Sequence, residues 1–122
     1  MLAHCFAILI TGTSMEPVLH DGHFYTACPA DTVHAGDVVV FRGLRPDEVL
    51  VKRATGVPGD SLGWRFGREV PAREQRPTIP EGHYYVKSDK YNSRYDSRAF
   101  GLIERSRIIG TVELRHRKSN CK

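Results

Sequence analysis

The stretch Val49-Leu50-Val51-Lys52-Arg53-Ala54-Thr55-Gly56-Val57-Pro58-Gly59-Asp60 predicts a β-strand over residues 49–54 that is followed by a tight turn. Its first residues are apolar and partly β-branched, which favours a strand lying against a core. Pro58 and Gly59 have the backbone preferences that β-turns require, so we expect the turn to fix the strand's end. Lys52 follows apolar neighbours, and burial there would favour its neutral amine. The alternative is an ordinary solvated lysine at the end of a strand.

The same criteria predict strands over residues 22–28, 37–42, 84–87 and 108–114. Helical signals are sparse, because residues 14–19 and 103–106 form segments too short for a stable helix and are predicted as turns or helix starts. Residues 61–81 contain three prolines, at 71, 77 and 80, and predict a hairpin followed by a loop. The sequence therefore predicts a mainly β fold with few short helices.

The chain has 122 residues, which is enough for one domain with a core of its own. We divide it into a short apolar N-terminal segment (1–10), a domain (11–114) and a basic tail (115–122). Lys and Arg total 18 against 14 Asp and Glu, and much of this excess lies in the tail. No aromatic residues alternate with these charges, so we expect no nucleic-acid partner.

The cysteines and histidines form no metal-binding pattern. Cys5, Cys28 and Cys121 lie far apart, and their odd number leaves at least one unpaired. The six histidines are scattered. We therefore expect no metal and no other cofactor. A cysteine nucleophile is disfavoured as well, because no cysteine stands beside a histidine in a motif.

Ser14, in the run Gly12-Thr13-Ser14-Met15-Glu16-Pro17, is the candidate partner of Lys52. A serine hydroxyl is a weak nucleophile that needs a base within hydrogen-bond reach, and a neutral lysine can be that base. A single serine or lysine is more often structural, as a turn residue or a solvated tip. The motifs around the two residues give the pair its weight.

Four motifs follow one another along the chain: Ser14-Met15-Glu16-Pro17, Gly36-Asp37-Val38-Val39-Val40-Phe41, Lys52-Arg53 with Gly56-Val57-Pro58-Gly59-Asp60, and Asp96-Ser97-Arg98-Ala99-Phe100-Gly101. The series resembles the type I signal peptidase family, including its conjugation-type and mitochondrial inner-membrane-type relatives, from about Thr11 to about Val112. The resemblance implies a small signal-peptidase-like β-fold. It also implies a membrane-associated serine endopeptidase that removes signal or leader sequences from exported or secretion-linked precursors. Such an enzyme would act at the extracytoplasmic face of the inner or plasma membrane.

The resemblance assigns roles at the reacting centre. Ser14 would be the nucleophile, Lys52 the general base, and the Ser14 backbone N–H the first donor to the oxyanion. Some relatives contribute a serine hydroxyl at the position where this chain has Gly12, so a backbone amide or a water must then be the second donor. Gly12 also allows a positive φ and a close approach of substrate, although an ordinary turn glycine is an equal alternative.

The resemblance also predicts two supporting ion pairs. Asp89 would pair with Arg53, and Asp96 with Arg98, so that the loop is held over the lysine. Solvated surface charges are the alternative for each pair.

Substrate selectivity is the third implication. Family members bind the substrate as an extended strand and prefer small residues one and three positions before the cut. Met15, Pro17 and Val51 are candidates for lining the shallow apolar pockets that this preference requires.

Two departures from the family pattern concern the last motif. Arg94 and Tyr95 stand between Asn-Ser and Asp-Ser-Arg, where one residue is usual, so Arg94 takes the place of the serine that would hydrogen-bond the lysine amine. Either Ser93 reaches Lys52 through a local bulge, or Lys52 lacks that partner. We favour the bulge, because an arginine cannot accept a hydrogen bond. The second departure is Lys87-Ser88-Asp89, where a glycine before the aspartate is common.

Membrane attachment is a further expectation from the N-terminal segment. Its apolar run, 2–10, is about half of the ~20 residues that a spanning helix needs. Either an anchor has been lost or removed, or the segment dips into the membrane interface.

Two other classes of function stay open. A non-catalytic module of the same fold could bind signal-like peptides, and the displaced serine supports it. A self-cleaving regulatory domain of the repressor type would share the dyad, but its Ala-Gly pair would have to precede the serine. Here Ala35-Gly36 follows Ser14, which disfavours that class.

Overall fold

A computed structural model of the protein describes residues 4–62, 64–65, 68–69, 71 and 76–114. The elements within these ranges are β1 (Phe6–Leu9), β2 (Phe24–Cys28), β3 (Val38–Arg42), β4 (Val49–Gly56), β5 (Trp64–Arg65), β6 (Arg68–Glu69), β7 (His83–Lys87), α1 (Ser97–Phe100), β8 (Ile103–Glu104), a 3-10 turn (Arg105–Arg107) and β9 (Ile108–Val112).

Within the described residues, seven strands form one antiparallel sheet in the order β1-β2-β9-β3-β4-β7-β8, and β5 and β6 form a separate antiparallel pair. The last strand, β9, lies between β2 and β3, so the sheet joins β1 and β2 to the other strands through β9. The mainly β class predicted from the sequence is confirmed.

The central strand β3 packs on both of its faces, which explains its unbroken apolar run. Val38 and Val40 belong to one core cluster together with Met15 and Leu19. Val39 and Phe41 belong to a second cluster, on the other face, together with Ala54 and Val86. The neighbouring strand β4, which carries Lys52, pairs with β3 over residues 49–53.

The predicted strands are present, with bounds shifted by up to two residues. Residues 14–19 form turns, as predicted. Residues 103–106 are instead strand β8 and part of the 3-10 turn, and α1 was not predicted. The hairpin predicted in 61–81 is present as β5 and β6, while parts of that stretch, and the basic tail, lie outside the described residues.

The N-terminal segment differs most from expectation. Phe6–Leu9 is an edge strand paired with β2, and a disulfide joins Cys5 to Cys28 across this pair. Cys121 lies outside the described residues. No helix in the part of the chain that the structure describes is long and apolar enough to cross a membrane.

Candidate active site

Ser14 and Lys52 meet although they are 38 residues apart in the chain: Lys52 Nζ donates a hydrogen bond to Ser14 Oγ at 2.8 Å. Ser14 lies in the turns between β1 and β2. Two contacts hold its backbone. The Ser14 carbonyl accepts a hydrogen bond from the Lys90 amide at 2.9 Å, and the next residue, Met15, is buried in the core. The turn is thus fixed on both sides of the hydroxyl.

Lys52 is buried, with only 4% of its surface exposed. It lies opposite Val39 in the β3–β4 ladder, and therefore on the face of the second core cluster. Burial lowers the pKa of Lys52, and the negative charge of Asp96 opposes that shift only in part. The setting favours the neutral amine, as the apolar flanks in the sequence suggested.

Asp96 is a fully buried carboxylate and the N-cap of α1. It accepts hydrogen bonds from the Ser88 amide at 2.9 Å and from Arg98 at 3.1 Å (N), 3.0 Å (Nε) and 2.7 Å (Nη2). Burial alone would raise the pKa of Asp96, but the hydrogen bonds from Arg98 and Ser88 outweigh it and leave this pKa below the ordinary value. Asp96 therefore stays charged and acts on Lys52 as a fixed anion.

Arg53 and Asp89 form the second predicted pair. Arg53 donates from Nε to Asp89 Oδ1 and from Nη2 to Oδ2, both at 2.8 Å. Its Nη1 donates to the Gly36 carbonyl at 2.7 Å. These bonds tie β4 to the turn before β3 and to the segment after β7. They also raise the pKa of Arg53, chiefly through the hydrogen bond to Asp89.

One edge of β4 is open beside the serine. The β4–β7 ladder begins at Arg53, which pairs with Lys87, and residues 49–51 have no strand partner on that edge within the described residues. Their other edge is fully paired with β3. An extended peptide could add there as a further strand.

The Ser14 amide is available as a hydrogen-bond donor. No described residue accepts a hydrogen bond from the Ser14 amide. Gly12 has a φ of +96°, as its residue type allowed, and its amide donates to Asp21 Oδ1 at 2.6 Å. The Gly12 N–H is thus already engaged with Asp21.

The three predicted substrate-lining residues differ in exposure. Met15 is 2% exposed and belongs to the core cluster of Val38 and Val40, so it can support a pocket only from beneath. Val51 is half-buried against the same cluster. Pro17 is exposed and lines a cleft of about 350 Å³ together with Glu16, Asp89, Lys90 and Tyr91.

The structure does not join Ser93 to Lys52. No hydrogen bond links the Ser93 side chain to this lysine, and the Ser93 carbonyl accepts from Arg98 Nη2 at 2.8 Å. Arg94 is exposed and lines a cleft of about 600 Å³ with Lys87 and Arg98. Ser88 is buried and follows directly after β7. The sequence marked it only as a departure from the family pattern.

Comparison with known proteins identifies the class. The family model described as "Signal peptidase, peptidase S26" matches residues 1–69 and 64–117. Signal peptidase I of Bacillus licheniformis is 31% identical over 135 residues, which cover 86% of this chain and 73% of that protein. Signal peptidase IB of Staphylococcus aureus, in strains Mu50 and N315, is 29% identical over 143 residues, which cover 87% of this chain and 74% of those proteins. These matches define the chain as a peptidase. It belongs to the signal peptidase family, peptidase S26, which confirms the resemblance of the sequence motifs.

Proposed function

We propose that this protein is a serine endopeptidase that cleaves N-terminal signal or leader sequences from exported or secretion-linked precursors. Ser14 is the nucleophile and Lys52 the general base. The observation that carries the proposal is the 2.8 Å contact between Ser14 Oγ and the amine of a buried lysine. Burial lowers the pKa of Lys52, which provides the neutral base that such a pair needs.

Acylation begins when Ser14 Oγ attacks the scissile carbonyl carbon. The hydroxyl proton passes to the lone pair of neutral Lys52 Nζ as the C–O bond forms. Lys52 then gives this proton to the leaving amine, and the C–N bond breaks. The products are an acyl-enzyme on Ser14 and the free amino terminus of the mature protein.

Deacylation repeats the proton transfer with a water. Lys52 takes the water's proton as the hydroxide attacks the ester, and the proton returns to Ser14 Oγ as the ester bond breaks. The unpartnered Ser14 amide is a donor for the oxyanion in both steps. Asp96 exchanges no proton in either step, because the hydrogen bonds that it accepts from Arg98 keep it ionised.

The substrate chain would lie along the open edge of β4 at residues 49–51. Main-chain hydrogen bonds to this edge would hold the peptide extended, with its scissile bond beside Ser14. Val51 and Pro17 would border the pockets, and Met15 would support them from the core. Shallow pockets of this kind would select small side chains one and three positions before the cut.

Two features support a location at the extracytoplasmic face of a membrane. The Cys5–Cys28 disulfide suits an oxidising compartment. Leu9 and Phe24, paired across β1 and β2, are 50% and 69% exposed, and Val18, in the turns after Ser14, is 40% exposed. Such a group of apolar side chains is suited to contact with a membrane surface.

The test is cleavage of a precursor peptide with alanines one and three positions before the cut, in detergent. We expect cleavage by the wild-type protein and a loss of at least about 10³-fold in Ser14→Ala and Lys52→Met, because each removes one half of the reacting pair. Ser106→Ala is the matched control, since this exposed serine lies in the 3-10 turn. Circular dichroism checks that each variant is folded.

Two outcomes would contradict the proposal. Cleavage by Ser14→Ala at the wild-type rate would exclude Ser14 as the nucleophile. Peptide binding without cleavage by folded wild-type protein would favour the non-catalytic peptide-binding module instead.

A further inference from the structure

Ser88 carries a buried hydroxyl that has no partner. It follows directly after β7, is 8% exposed, and donates its backbone N–H to Asp96 Oδ2 at 2.9 Å. Its Oγ is buried and makes no hydrogen bond to any described residue. Buried side-chain oxygens are nearly always paired in folded proteins, so an unpaired one next to a reactive group indicates a role.

The strand register sets Ser88 beside Lys52. The β4–β7 ladder pairs Arg53 with Lys87, and one more antiparallel step places Ser88 opposite Lys52. Directly opposite residues project to the same face, with Cβ atoms about 4.5–5.5 Å apart. Asp96 supports this arrangement, because it accepts the Ser88 amide and its charge acts on Lys52.

Lys52 needs an acceptor other than Ser14, because the proposed mechanism has Ser14 donate its proton to the amine. A neutral amine has two N–H donors and one lone pair, and it serves as a base only if the lone pair points at Ser14 Oγ. An acceptor for one N–H would set that orientation. Ser93 makes no such bond. The Arg94 guanidinium has no acceptor atom to offer.

Asp96 does not supply the acceptor either, since its oxygens already take four hydrogen bonds, from Ser88 and Arg98. This leaves the Ser88 hydroxyl as an unengaged acceptor on the face that carries Lys52.

We propose that Ser88 is the positioning residue for Lys52: its Oγ accepts a hydrogen bond from Nζ and turns the amine's lone pair toward Ser14. This inference rests on the proposed function of the Ser14–Lys52 pair. The contact requires a different Ser88 rotamer, and a change of rotamer breaks no existing hydrogen bond of the hydroxyl. Ser88 stands where a glycine is common in the motif. It would thus take the role of the family serine whose position Arg94 occupies in this chain.

The experiment compares Ser88→Ala and Ser88→Gly, which lack the acceptor, with Ser88→Thr, which keeps it. For each, kcat and KM for the precursor peptide are measured across a pH series. We expect kcat to fall about 10- to 100-fold without the hydroxyl while KM stays unchanged, because only the orientation of the base is lost. The midpoint of the pH profile should also move to lower pH, since the lost bond favours the ammonium form most. Ser88→Thr should restore both values toward wild type.

Ser97→Ala is the matched control. Ser97 is also buried, and its Oγ accepts the Val86 amide at 2.8 Å. Losing that bond should lower stability but leave the midpoint of the pH profile unchanged. A purely structural role for Ser88 would give the same pattern as this control.

A second readout separates failure of this inference from failure of the proposed function. The titration of the Lys52 side chain is followed by NMR in wild type and Ser88→Ala, and it requires no cleavage. A lower midpoint in Ser88→Ala supports the contact even if the protein cuts no peptide. An unchanged midpoint, or wild-type kcat in Ser88→Ala, overturns it.

Discussion

Replacing Asp96 by Asn is expected to weaken the fold and, at the same time, to shift activity toward lower pH. Asp96 is fully buried and accepts four hydrogen bonds, three of them from Arg98. Asparagine offers one acceptor oxygen, and its NH₂ group would face the remaining donors. The substitution also removes the charge that raises the pKa of Lys52, so that desolvation by burial acts unopposed.

The size of the effect on stability follows from burial. Removing one partner of a buried charge pair costs about 3–5 kcal/mol. The Arg98 side chain keeps 11% exposure and its bond to the Ser93 carbonyl, so we expect the lower end of this range, about 3 kcal/mol. For a domain of this size 1 kcal/mol corresponds to roughly 4 °C, so the melting temperature should fall by about 12 °C.

Asp96→Asn should also change the pH dependence of cleavage. In the proposed mechanism cleavage requires neutral Lys52, so the rate should rise as pH passes through the pKa of Lys52. Without the Asp96 charge this pKa is lower still, and the rise in kcat/KM should begin at a lower pH than in wild type. Asp89→Asn is the matched control, because it breaks the pair with Arg53 without removing the charge that acts on Lys52.

The assay combines urea unfolding with kcat/KM for the precursor peptide across a pH series. A folded Asp96→Asn protein whose midpoint equals that of wild type, or lies above it, would refute the electrostatic reasoning. A similar shift in Asp89→Asn would show that the change reports general loosening rather than the Asp96 charge.

Three further predictions concern stability. The unfolding free energy of wild type should rise with pH between the lowered pKa of folded Lys52 and its ordinary value of 10.5, because in that range the unfolded chain binds one more proton than the folded protein. Lys52→Met should remove this slope, which urea unfolding at several pH values measures. A slope that persists in Lys52→Met would disprove the assignment to Lys52. Gly110→Ala should cost about 1–3 kcal/mol, since its Cβ would lie 2.8 Å from the Cys28 carbonyl oxygen, and a variant as stable as wild type in thermal unfolding would be inconsistent with that contact. Replacing Cys5 and Cys28, 23 residues apart, by serine should cost about 3 kcal/mol of unfolding free energy in urea, whereas wild-type stability in the double variant would speak against a disulfide that closes this loop.

The sequence predicted the strands whose composition is distinctive. Residues 37–42 and 84–87 are rich in β-branched or aromatic side chains, and both are strands in the structure. The apolar residues before Lys52 correctly indicated that the lysine is buried. These features depend on residues that are neighbours in the chain, so the local sequence pattern is enough to predict them.

Features set by pairing between distant segments were not predictable in the same way. Phe6–Leu9 has no polar alternation, and its strand state comes from pairing with β2. The same register brings Cys5 to Cys28, which spacing alone could not indicate among three cysteines. The place of Ser88 beside Lys52 likewise depends on the β4–β7 register, which is set by tertiary packing.

The position of β9 has a consequence for biosynthesis. Ser14 lies between β1 and β2, and this pair is joined to the rest of the sheet through β9, the last strand among the described residues. A nascent chain that has not yet released residues 108–112 from the ribosome lacks the ladder that carries Ser14 toward the strand of Lys52. If Ser14 and Lys52 act together as proposed, a chain that lacks β9 should therefore have no peptidase activity.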